Sequence, residues 1–319
     1  MNKKNIAIIG ECMIELNGTP FGDMKQSFGG DTLNTAIYLQ RMSEERIKTY
    51  YVTAVGNDNL SRMMLQHWSD EGLDTSCVAI DNQHTTGLYM IQVDNEGERS
   101  FQYWRGQSAA KYLLQHESFT SIKQQLANVD LIFLSGISLA ILPENDRLTL
   151  IELLAKYKQN GIEIAFDSNY RAALWNNLKT AQDCYRAIFT FCDLALVTFD
   201  DEQLIWGDNT PQETLSRLKS FGVRKAIIKL GENGCLSQEF TKQEHPEHIN
   251  ANKVSKVIDT TSAGDSFNGA FLAFYANGET LTHCCQAGNL LASHIIQHKG
   301  AIIPKHITHP IYRSVKELS

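Results

Sequence analysis

The sequence lacks several features that would assign a chain to a class at once. None of its apolar runs approaches the ~18 residues needed to cross a bilayer, and the apolar run near its start, Ile6–Ile9, ends directly in Gly10-Glu11. Its net charge of −7 leaves no basic excess, which a nucleic-acid-binding surface would require. We therefore expect a cytoplasmic protein that binds neither membranes nor nucleic acids.

The seven cysteines include no C-x-x-C pair and most lie in apolar segments, which favours reduced core thiols. No G-x-x-x-x-G-K-[ST] motif occurs, which excludes a P-loop nucleotide site.

The chain has 319 residues, of which 43% are hydrophobic and 20% charged, as in globular proteins with a full core. Because no linker or repeat is apparent, we expect residues 1–319 to form a single domain.

Strand-length apolar runs alternate with helix-period segments along most of the chain. The predicted strands are Ile6–Ile9, Tyr51–Val55, Leu131–Ser135, Ile162–Asp167, Leu194–Thr198 and Ala226–Leu230. The predicted helices are Leu33–Met42, Leu60–Trp68, Arg147–Gln159, Ala181–Phe191 and Glu213–Phe221. This alternation predicts an α/β fold with a mostly parallel sheet and helices on both faces.

Two parts of the chain interrupt the alternation. Gly87–Val93 and Ser100–Trp104 are β-rich and flank the polar turn Asp94–Glu98, which predicts an antiparallel hairpin. The segment from Glu11 to Phe28 is also predicted to be extended. We expect these pieces, about residues 11–28 and 86–105, to form a small β-sheet inserted in the domain, where it could act as a lid over a ligand.

The most informative run is Asp259–Phe267, with the sequence DTTSAGDSF. It follows a predicted strand, Val254–Ile258, and leads into a predicted helix, Phe267–Ala276. Small residues ahead of a helix leave backbone N–H groups free to bind an anion, and the aspartate at the helix start, Asp265, could accept the proton of an attacking hydroxyl. A plain helix N-cap would explain the same residues.

This run resembles the C-terminal motif of the ribokinase-like (PfkB) carbohydrate kinases, commonly D-T-x-G-A-G-D. The resemblance implies a three-layer α/β/α sandwich, an ATP-dependent sugar kinase, and Asp265 as the catalytic base. It also implies an anion hole made of the backbone N–H groups of Ser262, Ala263, Gly264 and Asp265. Ser262 stands where the family usually has glycine, which a backbone-built site tolerates if the φ of Ser262 is negative.

The segment Phe28–Ala36 resembles the other marker of that family, G-G-x-x-x-N-x-A. By this resemblance Gly29 and Gly30 permit close approach of the sugar, and Asn34 bonds its hydroxyls. A glycine turn before a helix is the structural alternative. Two family motifs in the expected order make the resemblance extend over essentially the whole chain.

The resemblance also implies a nucleotide site. The residues expected at ATP are Asn169, Lys229, Gly231, Gly234, Ser262, Gly264 and Asn289. Glu202 matches the glutamate of an N-x-x-E motif linked to Mg²⁺, although Phe199 stands at the asparagine position. ATP and Mg²⁺ are therefore the expected cofactors, with a monovalent cation such as K⁺ as a further candidate.

The substrate class is indicated by four side chains. Tyr103 and Arg105 alternate onto one face of a predicted strand, and Tyr89 on the partner strand can share that face. Arg171 follows another strand at the carboxyl edge of the sheet, where open α/β folds bind ligands. Two arginines suit a sugar acid because guanidinium pairs with carboxylate; structural ion pairs or phosphate contacts are the alternative.

These residues, together with Gly10-Glu11 and Asn169-Tyr170-Arg171, resemble those of the 2-keto-3-deoxygluconate kinases of the family. The resemblance implies phosphorylation of 2-dehydro-3-deoxy-D-gluconate to its 6-phosphate by direct in-line transfer. Within the family, a fructokinase or ribokinase of a neutral sugar is the alternative. Outside the enzymes, the alternative is a non-catalytic sugar sensor. Family members often dimerise, so a homo-oligomer is expected.

Overall fold

The structure is a computed structural model that describes residues 3–44, 46–93, 99–242 and 244–316. Its largest element is a nine-stranded sheet. The strands of this main sheet are β1 (Lys4–Ile9), β4 (Ile47–Gly56), β5 (Val78–Asp81), β8 (Leu131–Ser135), β9 (Glu163–Asp167), β10 (Leu194–Thr198), β11 (Lys225–Lys229), β12 (Cys235–Glu239) and β13 (Glu247–Ile249). Their spatial order is β13-β12-β11-β10-β9-β8-β1-β4-β5.

The main sheet is parallel except at one edge. Strands β1, β4, β5 and β8 to β11 pair in parallel, whereas β12 and β13 are antiparallel. Successive side chains of a strand point to opposite faces, and in β1 Ile6 and Ile8 enter one core while Ala7 and Ile9 enter the other. Both faces are therefore buried, as the apolar strands predict.

Helices cover both faces of the main sheet. One face carries α1 (Asp31–Arg41), α2 (Asn59–Asp70), α9 (Ala263–Ala276), α10 (Leu281–Ile295) and α11 (Lys305–Lys316). The other carries α3 (Phe119–Leu126), α4 (Gly136–Ala140), α5 (Glu144–Gln159), α6 (Leu178–Phe189), α7 (Phe199–Trp206) and α8 (Pro211–Phe221). The result is the three-layer α/β/α arrangement expected from the sequence.

Four further strands form a second sheet, which we call the small sheet. They are β2 (Met13–Gly18), β3 (Met24–Gly29), β6 (Leu88–Val93) and β7 (Arg99–Trp104), in the order β3-β2-β6-β7. β2 is antiparallel to β3 and parallel to β6, and β6 is antiparallel to β7. The predicted turn Asp94–Glu98 lies outside the described residues.

The predicted strands and helices of the α/β layers are present, with shifts at their ends, and the seven cysteines are buried and unbridged. One predicted strand, Val254–Ile258, is wrong. This segment has no regular secondary structure, and the N–H of Ile258 donates to the carbonyl of Ile296 rather than to a neighbouring strand. Val257 and Ile258 are 52% and 44% exposed, so their apolar side chains do not reflect a buried strand.

None of the helices within the described ranges combines the length and the apolar character needed to span a membrane.

The contact between α1 and α9 depends on one glycine. A Cβ atom added at Gly269 would lie 2.7 Å from Cβ of Tyr38 and 2.8 Å from the backbone N of Leu39 and the backbone O of Thr35. The absence of a side chain at Gly269 therefore lets the two helices pack with their backbones close together. This contact fixes the distance between the N-terminal turns of α1 and α9.

We predict that Gly269→Ala lowers the free energy of unfolding by about 1–3 kcal/mol, because the backbone of α1 has to move away from the new methyl group. Urea denaturation measures the change. Gly106→Ala is the control, since a Cβ at Gly106 would meet no atom of the described residues within 4 Å. Equal stability of the two variants would contradict the close-packing account.

Candidate active site

A cavity of about 990 Å³ opens at the carboxyl edge of the main sheet. Its walls come from the ends of β9, β10 and β11, the N-terminal turns of α1 and α9, and the small sheet. Parallel strands present their carboxyl ends at the same edge, which is the usual ligand-binding position in open α/β folds. A cavity of this size accommodates small-molecule ligands.

Asp265 lies in the first turn of α9 and faces this cavity. Nδ2 of Asn34 on α1 donates a hydrogen bond of 2.9 Å to Oδ2 of Asp265. Burial, and next the negative charge of Asp31, raise the pKa of Asp265 to about 7. A carboxyl group with that pKa can take up and release a proton near neutral pH.

The N-terminus of α9 offers fewer free N–H groups than the sequence predicts. The N–H of Ala263 already donates to the carbonyl of Thr260, at 3.2 Å. The N–H groups of Gly264 and Asp265 have no acceptor among the residues that the structure describes. Since an unpaired N–H at a helix N-terminus attracts anions, these two groups form the candidate anion site, and the N–H of Ser262, which has no acceptor among the described residues either, is a further candidate.

Ser262, directly before α9, has a φ of +66°. The condition under which serine would fit easily in place of glycine, a negative φ, is therefore not met. A side chain in the left-handed region costs on the order of 1–3 kcal/mol. The backbone of Ser262 nevertheless joins the helix, since its carbonyl accepts from the N–H of Ser266 at 2.8 Å.

A buried ion pair lies beside the anion site. Nζ of Lys229, at the end of β11, donates to Oδ2 of Asp167 at 2.9 Å and to Oδ1 of Asn268 at 3.2 Å. Nδ2 of Asn268, one turn after Asp265 on α9, donates to the same Asp167 oxygen at 2.6 Å. Lys229 also lies 3.6 Å from where a Cβ of Gly264 would be. The three side chains thus connect two strands of the sheet with α9.

A second carboxylate stands next to Asp265. Asp31, the first residue of α1, accepts a hydrogen bond of 2.7 Å from Nδ2 of Asn169. Burial raises the pKa of Asp31. Sequence reasoning missed Asp31, Asp167 and Asn268, although Asp31 directly follows the Gly29-Gly30 pair and Asp167 ends a strand at the ligand edge.

The side chains predicted to meet a sugar acid also line the cavity. Tyr89 and Tyr103 are register partners on β6 and β7, with ring centroids 5.9 Å apart. Arg105 lines the same wall and pairs with Glu11. Arg171 follows β9, is 55% exposed, and lies 3.7 Å from Asp201. Each arginine therefore has a carboxylate partner within the protein as well as a position on the cavity.

Gly29, Gly30 and Asn34 also line the cavity. Among the described residues, three of those predicted at ATP lie outside its walls: Gly231, Gly234 and Asn289. Gly234 and Asn289 both lie against one segment, because Nδ2 of Asn289 donates to the carbonyl of Asn250 at 3.0 Å and the backbone of Gly234 lies close to that of Ile249 and Asn250. Gly231 and Gly234 belong to the turn that leaves β11 after Lys229, where the N–H of Gly234 donates to the carbonyl of Gly231 at 3.1 Å, whereas Asn289 lies on α10.

Glu202 lies behind the cavity wall. Its side chain is fully buried and pairs with Arg217 at 2.8 Å. Burial raises the pKa of Glu202 to about 7, although the Arg217 charge acts in the opposite direction. Asp200 and Asp201, which precede Glu202 on the same helix, both line the cavity, and burial raises the pKa of Asp201 to about 6.

Comparison with known proteins identifies the group to which the chain belongs. The model of the pfkB family of carbohydrate kinases matches residues 3–308. The chain belongs to the pfkB family of carbohydrate kinases. Membership confirms the kinase prediction that rested on the motifs around Asn34 and Asp265.

Curated relatives within the family are highly similar. The chain is 53% identical to the 2-dehydro-3-deoxygluconokinase of Haemophilus influenzae over 303 residues, which cover 95% of this kinase and 96% of the relative. It is 42% identical to the protein of the same name from Escherichia coli strain K12 over 305 residues, with 95% and 98% covered. The alignments thus span nearly the full length of both partners.

Solved structures share the fold of this kinase. The 2-dehydro-3-deoxygluconokinase of Thermotoga maritima matches with a TM-score of 0.82 at 19% identity, covering 98% of this chain and 99% of that one. A structure described as ribokinase II of Escherichia coli, in complex with ATP and Mg²⁺, also has a TM-score of 0.82 at 19% identity and covers 99% and 100%. These likenesses confirm the ribokinase-like α/β/α fold.

We predict that Lys229→Met lowers the free energy of unfolding by about 3–5 kcal/mol, because Asp167 keeps a buried charge without its partner. The matched control is Lys4→Met, which breaks the exposed pair with Asp130 and should cost at most about 1 kcal/mol. Urea denaturation of both variants at pH 7 makes the comparison. A similar, small loss in both would show that the Lys229–Asp167 pair is not a structural element of the site.

Proposed function

We propose that this kinase transfers the γ-phosphoryl group of ATP to the terminal hydroxyl of 2-dehydro-3-deoxy-D-gluconate, forming the 6-phosphate. The observation that carries the proposal is that one cavity joins Asp265 and the N-terminus of α9 to Arg105 and Arg171. A base and an anion site suit phosphoryl transfer, and the arginines suit a carboxylate. The names of the relatives from Haemophilus influenzae and Escherichia coli support the same substrate.

Asp265 acts as the general base in this proposal. The hydroxyl proton moves to the Asp265 carboxylate while the hydroxyl oxygen forms a bond to the γ-phosphorus and the bond between that phosphorus and the β–γ bridging oxygen breaks. The electron pair of the broken bond remains on ADP. The N–H groups of Gly264 and Asp265 stabilise the charge on the transferred oxygens, because they are already oriented before the reaction.

Lys229 is placed to stabilise the same negative charge on the transferred oxygens. Its ammonium group is buried beside Gly264 and is held by Asp167 and Asn268. Phosphoryl transfer is catalysed mainly by positioning and by electrostatic stabilisation, so a fixed cation next to the anion site favours it. The turn after Lys229 contains Gly231 and Gly234, and we place the nucleoside at this turn and Asn289.

The acidic wall of the cavity fits Mg²⁺ that arrives with ATP. No group of three or more His, Cys, Asp or Glu side chains within the described residues is arranged to hold a metal ion. Mg²⁺ commonly binds through substrate phosphates with few protein ligands, and Asp167 and Asp201 face the cavity where they can bind its water shell. When bound, Mg²⁺ neutralises phosphate charge.

Glu202 contributes only indirectly to the Mg²⁺ site. A requirement for K⁺ stays a prediction of the resemblance.

We propose that the chain acts as one kinase domain, with the small sheet as a lid that carries Tyr89, Tyr103 and Arg105 onto the substrate. Closing such a lid excludes water from the phosphoryl group. A cytoplasmic location and a homo-oligomeric state remain predictions, as does the lack of nucleic-acid binding.

An ATP-consumption assay with a panel of acceptors tests the function. The panel contains 2-dehydro-3-deoxy-D-gluconate, D-gluconate, D-fructose and D-ribose. The proposal predicts the highest kcat/KM with the first compound and formation of its 6-phosphate. Preference for fructose or ribose would favour a neutral-sugar kinase of the same family, and no turnover with the panel would contradict the proposal.

We expect Asp265→Asn to fold normally and to lose about 10²–10⁴-fold in kcat, the usual contribution of a general base. The amide keeps the shape of the carboxylate and an oxygen that can accept from Asn34, but it cannot take a proton. Steady-state rates and thermal unfolding are measured on the same preparation. Turnover close to that of the wild type would remove Asp265 from the mechanism.

The pH dependence follows from the raised pKa of Asp265. Only the ionised carboxylate can act as a base, so kcat/KM should fall as the pH drops below about 7. Asp31→Asn removes the negative charge beside Asp265, which eases its ionisation and lowers its pKa. The acidic limb of the pH–rate profile should therefore move to lower pH in the variant. An unmoved limb would contradict the assignment of that limb to Asp265.

We predict that Arg105→Ala and Arg171→Ala each raise KM for the sugar acid by about 10-fold or more, because a charge-assisted contact is lost. Arg62→Ala serves as the control, since Arg62 is exposed on α2 and does not line the cavity. KM values are compared at saturating ATP. If neither arginine variant changed KM, the carboxylate assignment would be refuted.

A further inference from the structure

We propose that Glu11 is a positioning residue that holds the guanidinium of Arg105 ready for the carboxylate of the substrate. This inference rests on the proposed function, because Arg105 has a carboxylate to bind only if the substrate is a sugar acid. Glu11 lies between β1 of the main sheet and β2 of the small sheet, and Arg105 follows β7. Nη2 of Arg105 donates to Oε2 of Glu11, so the pair joins the two sheets at the cavity wall.

This pair is far more enclosed than the other arginine–carboxylate pair of the cavity. The side chains of Glu11 and Arg105 are 1% and 13% exposed. By contrast, Arg171 is 55% exposed and lies 3.7 Å from Asp201. In an exposed ion pair, water competes for the hydrogen bonds of both charged groups, whereas a buried pair holds both partners in one geometry. Arg105 is therefore the arginine with a fixed position.

The backbone around Glu11 confines its side chain. A Cβ at Gly87 would lie 2.9 Å from Oε1 of Glu11 and 3.0 Å from Cγ of Met13. A Cβ at Gly30 would lie 2.2 Å from the carbonyl oxygen of Glu11. Glycine at both positions allows the chain to lie close to Glu11 from two sides, against its carboxylate at Gly87 and against its backbone carbonyl at Gly30.

Two polar atoms of the pair are not satisfied within the protein. Oε1 of Glu11 and Nε of Arg105 are buried and have no hydrogen-bond partner in the described part of the chain. A buried ion pair offsets the cost of desolvation only when its remaining polar atoms are bonded. The pair is thus a weak source of stability, which favours a role in holding Arg105 where it is needed.

Arg105 is held from a second side by the small sheet. Its guanidinium carbon lies 6.0 Å from the ring centroid of Tyr103, and Tyr89 stacks against that ring. A flexible arginine loses rotational freedom when it binds a ligand, and this loss weakens binding. Because Glu11 holds Arg105 in the folded enzyme, the guanidinium is already ordered when the substrate binds.

A double-mutant cycle tests the inference on the full-length enzyme. The variants are Glu11→Ala, Arg105→Ala and the double variant, with Glu11→Gln as the conservative replacement. Kinetics are measured with 2-dehydro-3-deoxy-D-gluconate and with ATP, and thermal unfolding is recorded for each. Glu11→Asp carries the same test if Glu11→Ala does not fold, because it keeps the charge but withdraws the carboxylate from Arg105.

We expect Glu11→Ala to raise KM for the sugar acid by about 10-fold, as for a lost charge-assisted hydrogen bond. KM for ATP should stay within about twofold of the wild type, and the double variant should be no worse than Arg105→Ala, because coupled residues are not additive. Glu11→Gln keeps a hydrogen-bond acceptor for Arg105 and should restore KM.

The inference would be overturned if the increases in KM for the sugar acid caused by Glu11→Ala and by Arg105→Ala multiplied in the double variant. It would also be overturned by a Glu11→Ala variant that loses stability and kcat while its KM for the sugar acid is unchanged. Both outcomes would leave the proposed function intact, because the wild-type enzyme would still phosphorylate the acid. A wild-type enzyme that does not use the acid would overturn both proposals.

Discussion

The close packing of α1 against α9 is the constraint on which the rest of the site depends. Gly269 allows the two backbones to approach, and this approach places Asn34 2.9 Å from Asp265. The hydroxyl of Thr35 donates to the backbone carbonyl of Asp265 at 3.2 Å, which adds a second link. The carboxylate is therefore fixed in the cavity rather than left to the mobility of a loop.

The electrostatics of the site follow from this packing. Asp31, Asp167 and Asp265 are brought together at one edge of the sheet, and the ammonium group of Lys229 offsets part of their charge. Buried carboxylates that repel one another hold a proton more tightly than exposed ones. A nearby nucleotide with its cation changes that balance, so binding of ATP and ionisation of Asp265 are expected to be coupled.

The strands and helices were predictable because hydrophobic periodicity is a local property of the sequence. The apolar runs of strand length and the helix-period segments between them are present as strands and helices, with small shifts at their ends. The prediction of a strand at Val254–Ile258 was wrong. The apolar residues at the end of this segment are exposed, and the local sequence pattern does not distinguish exposed from buried apolar residues. The positive φ of Ser262 is likewise a result of how α9 is joined to the preceding loop.

The candidate site was predictable where a family motif or the pattern of a strand marked it. Asp265, Gly264 and Asn34 belong to two family motifs and face the cavity. Asp31, Asp167 and Asn268 become neighbours only through the packing of α1, β9 and α9, so their sequence spacing gives no sign of it. Glu11 and Arg105 are 94 residues apart in the sequence and meet only in the folded chain.

A crystal structure with 2-dehydro-3-deoxy-D-gluconate and a non-hydrolysable ATP analogue tests the central claim most directly. We expect the terminal hydroxyl oxygen within about 2.6–3.2 Å of the Asp265 carboxylate, the γ-phosphate at the N–H groups of Gly264 and Asp265, and the substrate carboxylate at Arg105. A substrate bound in the opposite direction, or outside this cavity, would contradict the claim.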